Sequence, residues 1–437
     1  MRILQKLFFT LCLFFISFPV TAQKNNFAQK GQHFSLKPDE KKLIDTAIEN
    51  YLFSLPEEQR ISQIFLVNID GNTFYQPVED SSKIDSLTQS NHAPLVPGGV
   101  LLFSYNIAGT AEDTIDFISS ISAWCEKNNV CRPYIAVDQE GGYVARLKKI
   151  TSPLPSNENV AKNFSAGQAY ELYSLQARQM RALGIDMNLA PVIESENENN
   201  KDFLDTRSYG SIASSVSYSI AAVKAYQDNG IGAVLKHFPG NTNTDPHSGL
   251  PEIKISEAEI LKKMILPFFL ILQSSPSAVL MSHAKVNSFD FQNPASLSRI
   301  WVTENLKKNL SYSGLILSDD IFMGALANNG FPPDTAAIKT IEAGAHVIMM
   351  SDKRFSSVAK DLLLHARDNP DFQEKLTQAE KKVLEFKIWC GILNLKKKSD
   401  GTYVIENVSD LKQNGKKENR VKFFYENYDS GKKILQH

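Results

Sequence analysis

The chain has 437 residues, with 47 Lys plus Arg against 48 Asp plus Glu and 43% hydrophobic residues. That length and mixture suit one large domain or two ordinary ones and exclude a disordered, collagenous or coiled-coil chain. A formal net charge of −1 leaves no global basic field for nucleic acid, and four cysteines are too few for a disulfide scaffold.

The start of the chain reads as an address. Arg2 and Lys6 accompany an apolar run over residues 7–18, and Pro19-Val20-Thr21-Ala22 supplies small residues where a signal peptidase reads. Residues 1–22 are therefore expected to be a cleaved signal peptide, which makes the protein exported, either periplasmic or secreted. The apolar run is too short to span a bilayer and no later stretch is long and uncharged enough, so no integral membrane segment is expected after cleavage. Residues 23–40 form a polar lead-in. Export permits disulfides, and Cys125 and Cys131 are spaced to close a small loop, two free buried thiols being the alternative. Cys390 has no evident partner.

From 41 to 395 short apolar runs alternate with stretches of helical spacing. The runs lie at 64–69, 99–103, 134–137, 186–192, 233–238, 278–281, 314–318 and 346–350, rich in Val, Ile, Leu and Ala as parallel strands buried on both faces require. Helical periodicity marks 166–183, 211–229 and 256–272. Strands separated by helices in this number predict an α/β fold, a (β/α)8 TIM-type barrel forming a single catalytic domain over 41–395. A doubly wound sheet is the competitor, but no Gly-rich dinucleotide turn follows the first strand. After Cys390 the pattern fails. Residues 396–437 are rich in Lys, Asn and aromatics and form a short C-terminal tail that packs back on the barrel or stays mobile.

In such barrels the chemistry sits where strands end. Here the ends carry Asp138-Gln139-Glu140-Gly141-Gly142 with Arg146, then Arg207-Ser208-Tyr209-Gly210, then Lys236-His237-Phe238-Pro239-Gly240 running on through Asp245-Pro246-His247. The sixth run closes with Met281-Ser282-His283 and the seventh with Ser318-Asp319-Asp320. One such residue is ordinarily a helix cap or a satisfied core group; charged groups at successive strand ends on one face describe a pocket. No Cys cluster or His-Glu-x-x-His pairing suggests a metal, and no phosphate-cradling loop suggests a nucleotide, so no cofactor is expected. Carboxylates that accept from hydroxyls, beside Arg, Lys and His that donate, suit a carbohydrate substrate. One carboxylate can attack an anomeric carbon while a second group protonates the leaving oxygen.

The three motifs around Asp138, Lys236 and Asp319, in that order, resemble glycoside hydrolase family 3. Supporting matches are Asn188-Leu189-Ala190-Pro191-Val192, Arg207-Ser208-Tyr209-Gly210 and Pro294-Ala295-Ser296-Leu297-Ser298, and the similarity covers roughly 52 to 393. Asp245-Pro246-His247 is similar to the Asp-x-His dyad of the family's bacterial β-N-acetylglucosaminidases. The resemblance implies Asp319 as the nucleophile that forms a covalent glycosyl-enzyme, His247 as the acid/base and Asp245 as the group that orients it. It implies terminal-sugar contacts for Asp138, Arg146, Arg207, Lys236 and His237, and a further pocket position for His283. Glu140 and Glu194 are the carboxylates to consider should His247 not be the acid/base. Departures are Tyr143 where the family has Arg, Asn241-Thr242 where many relatives have His-Gly, and His346 in place of an acid near the eighth strand.

The expectation is therefore an exported retaining exo-β-N-acetylglucosaminidase. It would release terminal N-acetylglucosamine from peptidoglycan fragments or from chitin-like or other glycan chains. Alternatives are a β-glucosidase of the same family, an N-acetylglucosaminide phosphorylase and an inactive carbohydrate-binding protein.

Overall fold

The computed structural model describes residues 38–80, 82 and 94–435. The signal peptide expected at 1–22 and nearly all of the lead-in lie outside the described residues.

Each apolar run contributes a strand to one closed barrel. The strands are β1 (Phe65–Val67), β2 (Gly99–Leu102), β3 (Tyr134–Val137), β4 (Met187–Asn188), β5 (Gly232–Phe238), β6 (Ala278–Met281), β7 (Leu315–Asp320) and β8 (Val347–Met350). All pair in parallel with their sequence neighbours, and Phe65 opposite Ile348 closes the ring between β1 and β8. Alternation along the strands sorts the apolar side chains into two populations. Leu66, Leu101, Ala136, Met187, Val234, Leu280, Leu317 and Met349, one from each strand, pack together inside the barrel. Their neighbours, such as Val100, Ile135 and Val279, face the helices in a separate cluster. The TIM-type barrel read from the sequence is thus the architecture of the protein.

Two strands differ in length from the sequence pattern. β4 stops at Asn188 although apolar residues continue to Val192, which reaches β5 only through an isolated bridge to Lys236. Pro191 has no N–H to give to a ladder. β7 runs on through Ser318-Asp319-Asp320 at the mouth of the barrel, where Ser318 and Asp319 stay buried and Asp320 is half-buried.

The main flanking helices are α1 (Pro38–Ser54), α2 (Ala111–Lys127), α3 (Ala166–Leu183), α4 (Ile212–Asp228), α5 (Pro333–Ala343), α6 (Ser356–Arg367) and α7 (Pro370–Trp389). The ends of α3 follow from local chemistry. Ser165 Oγ accepts the Gln168 N–H (3.3 Å) and Gln168 Oε1 accepts the Ser165 N–H (2.9 Å), a reciprocal capping box, and Gly184 at φ 94° ends the helix. No helix among the described residues is long and apolar enough to cross a membrane.

The segment after α7 is ordered against the barrel. Leu393–Lys397 and Tyr403–Asn407 form an antiparallel hairpin, and α8 (Lys417–Ile434) lies along α3. Phe424 of α8 is fully buried in the main core, so these residues borrow the barrel's apolar surface instead of building a core of their own. Arg420 donates from Nε to Ala182 O (2.9 Å) and from Nη2 to Leu183 O (3.0 Å), placing a cation on the unsatisfied carbonyls at the C-terminus of α3. Gly431 passes Ser152 so closely that a Cβ would stand 2.3 Å from the serine Oγ.

Of the two arrangements left open for Cys125 and Cys131, the free buried thiols are the one found. Cys125 sits in the last turn of α2, where burial pushes its thiol up to about 12, while Cys131 Sγ takes the Lys387 ammonium at 3.5 Å. His346 does not replace an acid in the pocket. It precedes β8 at the N-terminal end of the barrel, where Ile316 N donates to its Nδ1 (3.0 Å) and Lys307 Nζ lies 2.9 Å from its Nε2. That end of a barrel serves stability, not chemistry.

Candidate active site

The loops that leave the C-terminal ends of the strands carry the polar residues singled out above. The wall after β3 is a tight antiparallel hairpin, Gln139–Gly141 with Val144–Ala145. It turns at Gly141 and Gly142, whose φ values of 108° and 60° exclude other residues without strain, and a Cβ on Gly141 would stand 2.2 Å from Pro155 O. Asn188 of β4 clamps the hairpin root, accepting from Gln139 N and donating to Gln139 O, each at 3.0 Å.

Four charges meet above this root. Lys236, buried at the end of β5, donates to Asp138 Oδ1 (2.7 Å) and lies 2.6 Å from Glu140 Oε1. Arg207 grips Glu140 through two parallel bonds, Nε to Oε2 (2.8 Å) and Nη2 to Oε1 (2.9 Å). Burial alone would raise the Glu140 carboxyl, but Lys236 and Arg207 outweigh it and hold it at about 2. Burial likewise opposes the Lys236 charge, and Asp138 and Glu140 more than restore it, so its ammonium is held above the usual value. Glu140 is therefore a locked anion that positions two cations, a role the motif alone did not disclose. It has no proton to give near neutrality.

Replacing Glu140 by Gln leaves Arg207 and Lys236 buried without their shared anion. We expect a loss of about 3–5 kcal/mol, read as a lower urea midpoint. Because the folded pKa lies below the ordinary 4.5, this stabilisation is present above about pH 4.5 and disappears as pH falls toward 2. The wild type should thus lose its advantage over Glu140→Gln in that window.

His237 follows Lys236 across a cis peptide and is held from below. Glu194, after β4, meets His237 Nδ1 at 2.7 Å and also accepts from Asn241 N (2.6 Å) and Asn241 Nδ2 (3.2 Å). Asn241 Oδ1 accepts from Ser282 Oγ (2.8 Å) at the end of β6. The Asn that departs from the family pattern thus joins three loops, and Glu194 supports His237 and is not a free acid. His283 is buried between Ser296 Oγ, 2.7 Å from Nδ1, and Asp320 O, 2.9 Å from Nε2. A carbonyl only accepts, so Nε2 carries the proton and Nδ1 takes the serine hydroxyl. Burial lowers the His283 pKa despite the nearby Asp319, consistent with a neutral ring.

The two aspartates at the end of β7 have separate environments. Asp320 Oδ1 accepts from Phe322 N and Ser351 N, both at 3.0 Å, and so staples the β7 loop to the end of β8. Asp319 is buried, accepts the Asp320 N–H (2.9 Å), and has no cation paired to it among the described residues. Arg146 N donates to Asp138 O (3.2 Å), its guanidinium lies 5.8 Å over the Phe103 ring, and its buried Nε has no hydrogen-bond partner among the described residues.

The Asp245–His247 pair sits apart from this buried floor, exposed on the loop after β5. Asp245 Oδ1 accepts both the His247 backbone N–H (2.9 Å) and His247 Nδ1 (2.7 Å). Its slight burial would raise the Asp245 pKa, but the His247 hydrogen bonds and charge lower it further. The loop is pinned beside β7: Ala325 N, just past that strand, donates to Pro246 O (2.9 Å). With Nδ1 engaged, His247 presents Nε2. Asp138, Arg207, Lys236 and the supporting Glu140 are thus joined by direct bonds, His237 and His283 flank them, and the dyad approaches from the rim.

Relatives share this chain's sequence and fold. It is 27% identical over 318 residues to "Beta-hexosaminidase A" of Pseudoalteromonas piscicida, covering 66% of this chain and 53% of that one. The chain therefore spans about half the length of that relative. It is 32% identical over 271 residues to "Beta-hexosaminidase" of Haemophilus influenzae, covering 60% and 74%. Among solved structures, a glycoside hydrolase family 3 beta-N-acetylglucosaminidase from Paenibacillus sp. str. FPU-7 superposes with a TM-score of 0.68 at 26% identity, covering 86% of this chain and 69% of that one. Residues 58–386, which contain all eight strands of the barrel and the pocket, match the family described as Glycosyl hydrolase family 3 N terminal domain, and the chain belongs to that family.

Proposed function

We propose that the protein is a retaining exo-β-N-acetylglucosaminidase. The observation that carries this is the pairing of an uncompensated buried carboxylate, Asp319, with an exposed Asp245–His247 dyad whose loop is pinned to the turn after β7. Asp138, Arg146, Arg207, Lys236 and His237 bind the terminal sugar, with His283 beneath it.

The anomeric carbon is attacked by Asp319, forming a glycosyl ester as the bond to the leaving oxygen breaks. That oxygen takes the proton from Nε2 of the His247 imidazolium. The neutral ring then removes a proton from water, which displaces the ester and restores Asp319. Asp245 holds Nδ1–H throughout and fixes the orientation of the ring. The hexosaminidase names of the relatives support the sugar, and the apolar leader at 7–18 supports export toward peptidoglycan fragments or chitin-like chains.

Aryl N-acetylglucosaminide and aryl glucoside, assayed side by side with and without phosphate, test the reading. Hydrolysis of the first, independent of phosphate, is expected. Preference for the glucoside would point to a β-glucosidase, and a phosphate requirement with sugar-phosphate product would point to a phosphorylase. Binding of the sugar without turnover of any of these substrates would leave only a carbohydrate-binding protein.

A further inference from the structure

The mouth of the barrel is walled unequally among the described residues. The dyad loop leaves β5 and docks past β7, where a Cβ on Gly324 would stand 2.6 Å from His247 O. Across the mouth from that loop is the rim where β8, β1 and β2 end.

On that rim stands Tyr105, just after β2 and 54% exposed. An exposed tyrosine alone means little. This one is fixed from several directions. Its ring lies parallel to Phe103, with centroids 5.9 Å apart and 1° between the planes, and Asp70 and Lys353 lie close to its hydroxyl. Phe103 in turn lies beneath the guanidinium of Arg146, one of the terminal-sugar residues, so the aromatic pair is continuous with the pocket wall. Beside Tyr105 are Asp70 and Lys353, paired with each other from the ends of β1 and β8. A rigid ring with an open face, flanked by one acceptor and one donor of charge-assisted hydrogen bonds, matches a pyranose. The sugar's C–H face packs on the π-face, and its hydroxyls meet the two charges.

We propose that Tyr105 is the platform for the sugar next to the terminal N-acetylglucosamine, with Asp70 and Lys353 holding its hydroxyls, and that it sets a preference for glycan chains over small aglycones. This rests on the glycosidase reading of the pocket. It is tested by the ratio of kcat/KM for N,N′-diacetylchitobiose to kcat/KM for methyl N-acetyl-β-glucosaminide, whose leaving group is too small to reach the rim. Tyr105→Ala should lower this ratio about tenfold, through KM for the disaccharide, and Tyr105→Phe should hold it within about twofold because the stacking face remains. An unchanged ratio in Tyr105→Ala, or an equal fall in Tyr105→Phe, overturns the platform. Wild-type protein that hydrolyses neither compound overturns the glycosidase reading and the platform with it, a failure told apart because it shows before any substitution.

Discussion

Asp319→Asn should lose turnover by about 10⁴-fold or more while keeping its fold, because the amide is nearly the same size but cannot form the glycosyl ester. A fluorinated N-acetylglucosamine analogue that traps the intermediate should label one peptide of the wild type, at Asp319. The neighbour behaves differently. Asp320→Ala removes the acceptor for Phe322 N and Ser351 N and should cost about 1 kcal/mol of stability per bond, with activity falling far less than in Asp319→Asn. Label recovered on Asp320, or near-normal activity in Asp319→Asn, would reverse the assignment of the two carboxylates.

His247→Ala should separate substrates by their leaving groups. A sugar hydroxyl is a poor leaving group and needs the proton, so natural disaccharides should slow by about 10²–10⁴-fold. Nitrophenyl glycosides depart unaided, so their first step should survive while the glycosyl-enzyme accumulates, visible as a burst and then a slow steady state. A small added anion such as azide should accelerate that second phase by taking the place of activated water. Asp245→Asn should show a weaker form of the same pattern, since Asp245 orients the ring through Nδ1. Equal slowing of both substrate types, with no accumulated intermediate, would make His247 a loop residue only. Glu140 and Glu194 would be poor replacements, the first locked by Arg207 and Lys236 and the second by His237 and Asn241.

The barrel was legible because parallel strands buried on both faces must be nearly continuous Val, Ile and Leu, and those runs stand out at 99–103, 134–137 and 278–281. The helix at 166–183 was legible from its periodicity, and the structure shows Ser165 and Gly184 fixing its ends there. The candidate site residues were legible as types out of place, such as Lys236 and Asp319 at the ends of apolar strands. Their division of labour was not. Nothing in Asp138-Gln139-Glu140 says that Glu140 is the locked anion, because that depends on Arg207 and Lys236 arriving from elsewhere in the chain. Likewise Asp319 and Asp320 differ through Ser351, which only the closure of β7 on β8 brings near. His346 opens the run at 346–350, and the first residue of a strand in a parallel barrel lies at the N-terminal end, away from the pocket. The pairing of the two cysteines stayed open because short spacing says nothing of the direction in which a helix end points its side chains.

The close approach of Gly431 to Ser152 gives the pocket an order of completion. Ser152 belongs to the connection that returns behind the hairpin of Asp138 and Glu140, where Gly142 N bonds Leu154 O (2.9 Å), and α8 presses on that connection from outside. A ribosome delivers this hairpin long before it delivers α8. At about 5–20 residues per second the interval is on the order of tens of seconds. Throughout it, the wall of Asp138 and Glu140 lacks this outer brace. A chain released before α8, with β7 already made, would carry Asp319, the proposed nucleophile, beside an unbraced wall. Synthesis of α8 is thus also a step in assembling the proposed grip on the terminal sugar.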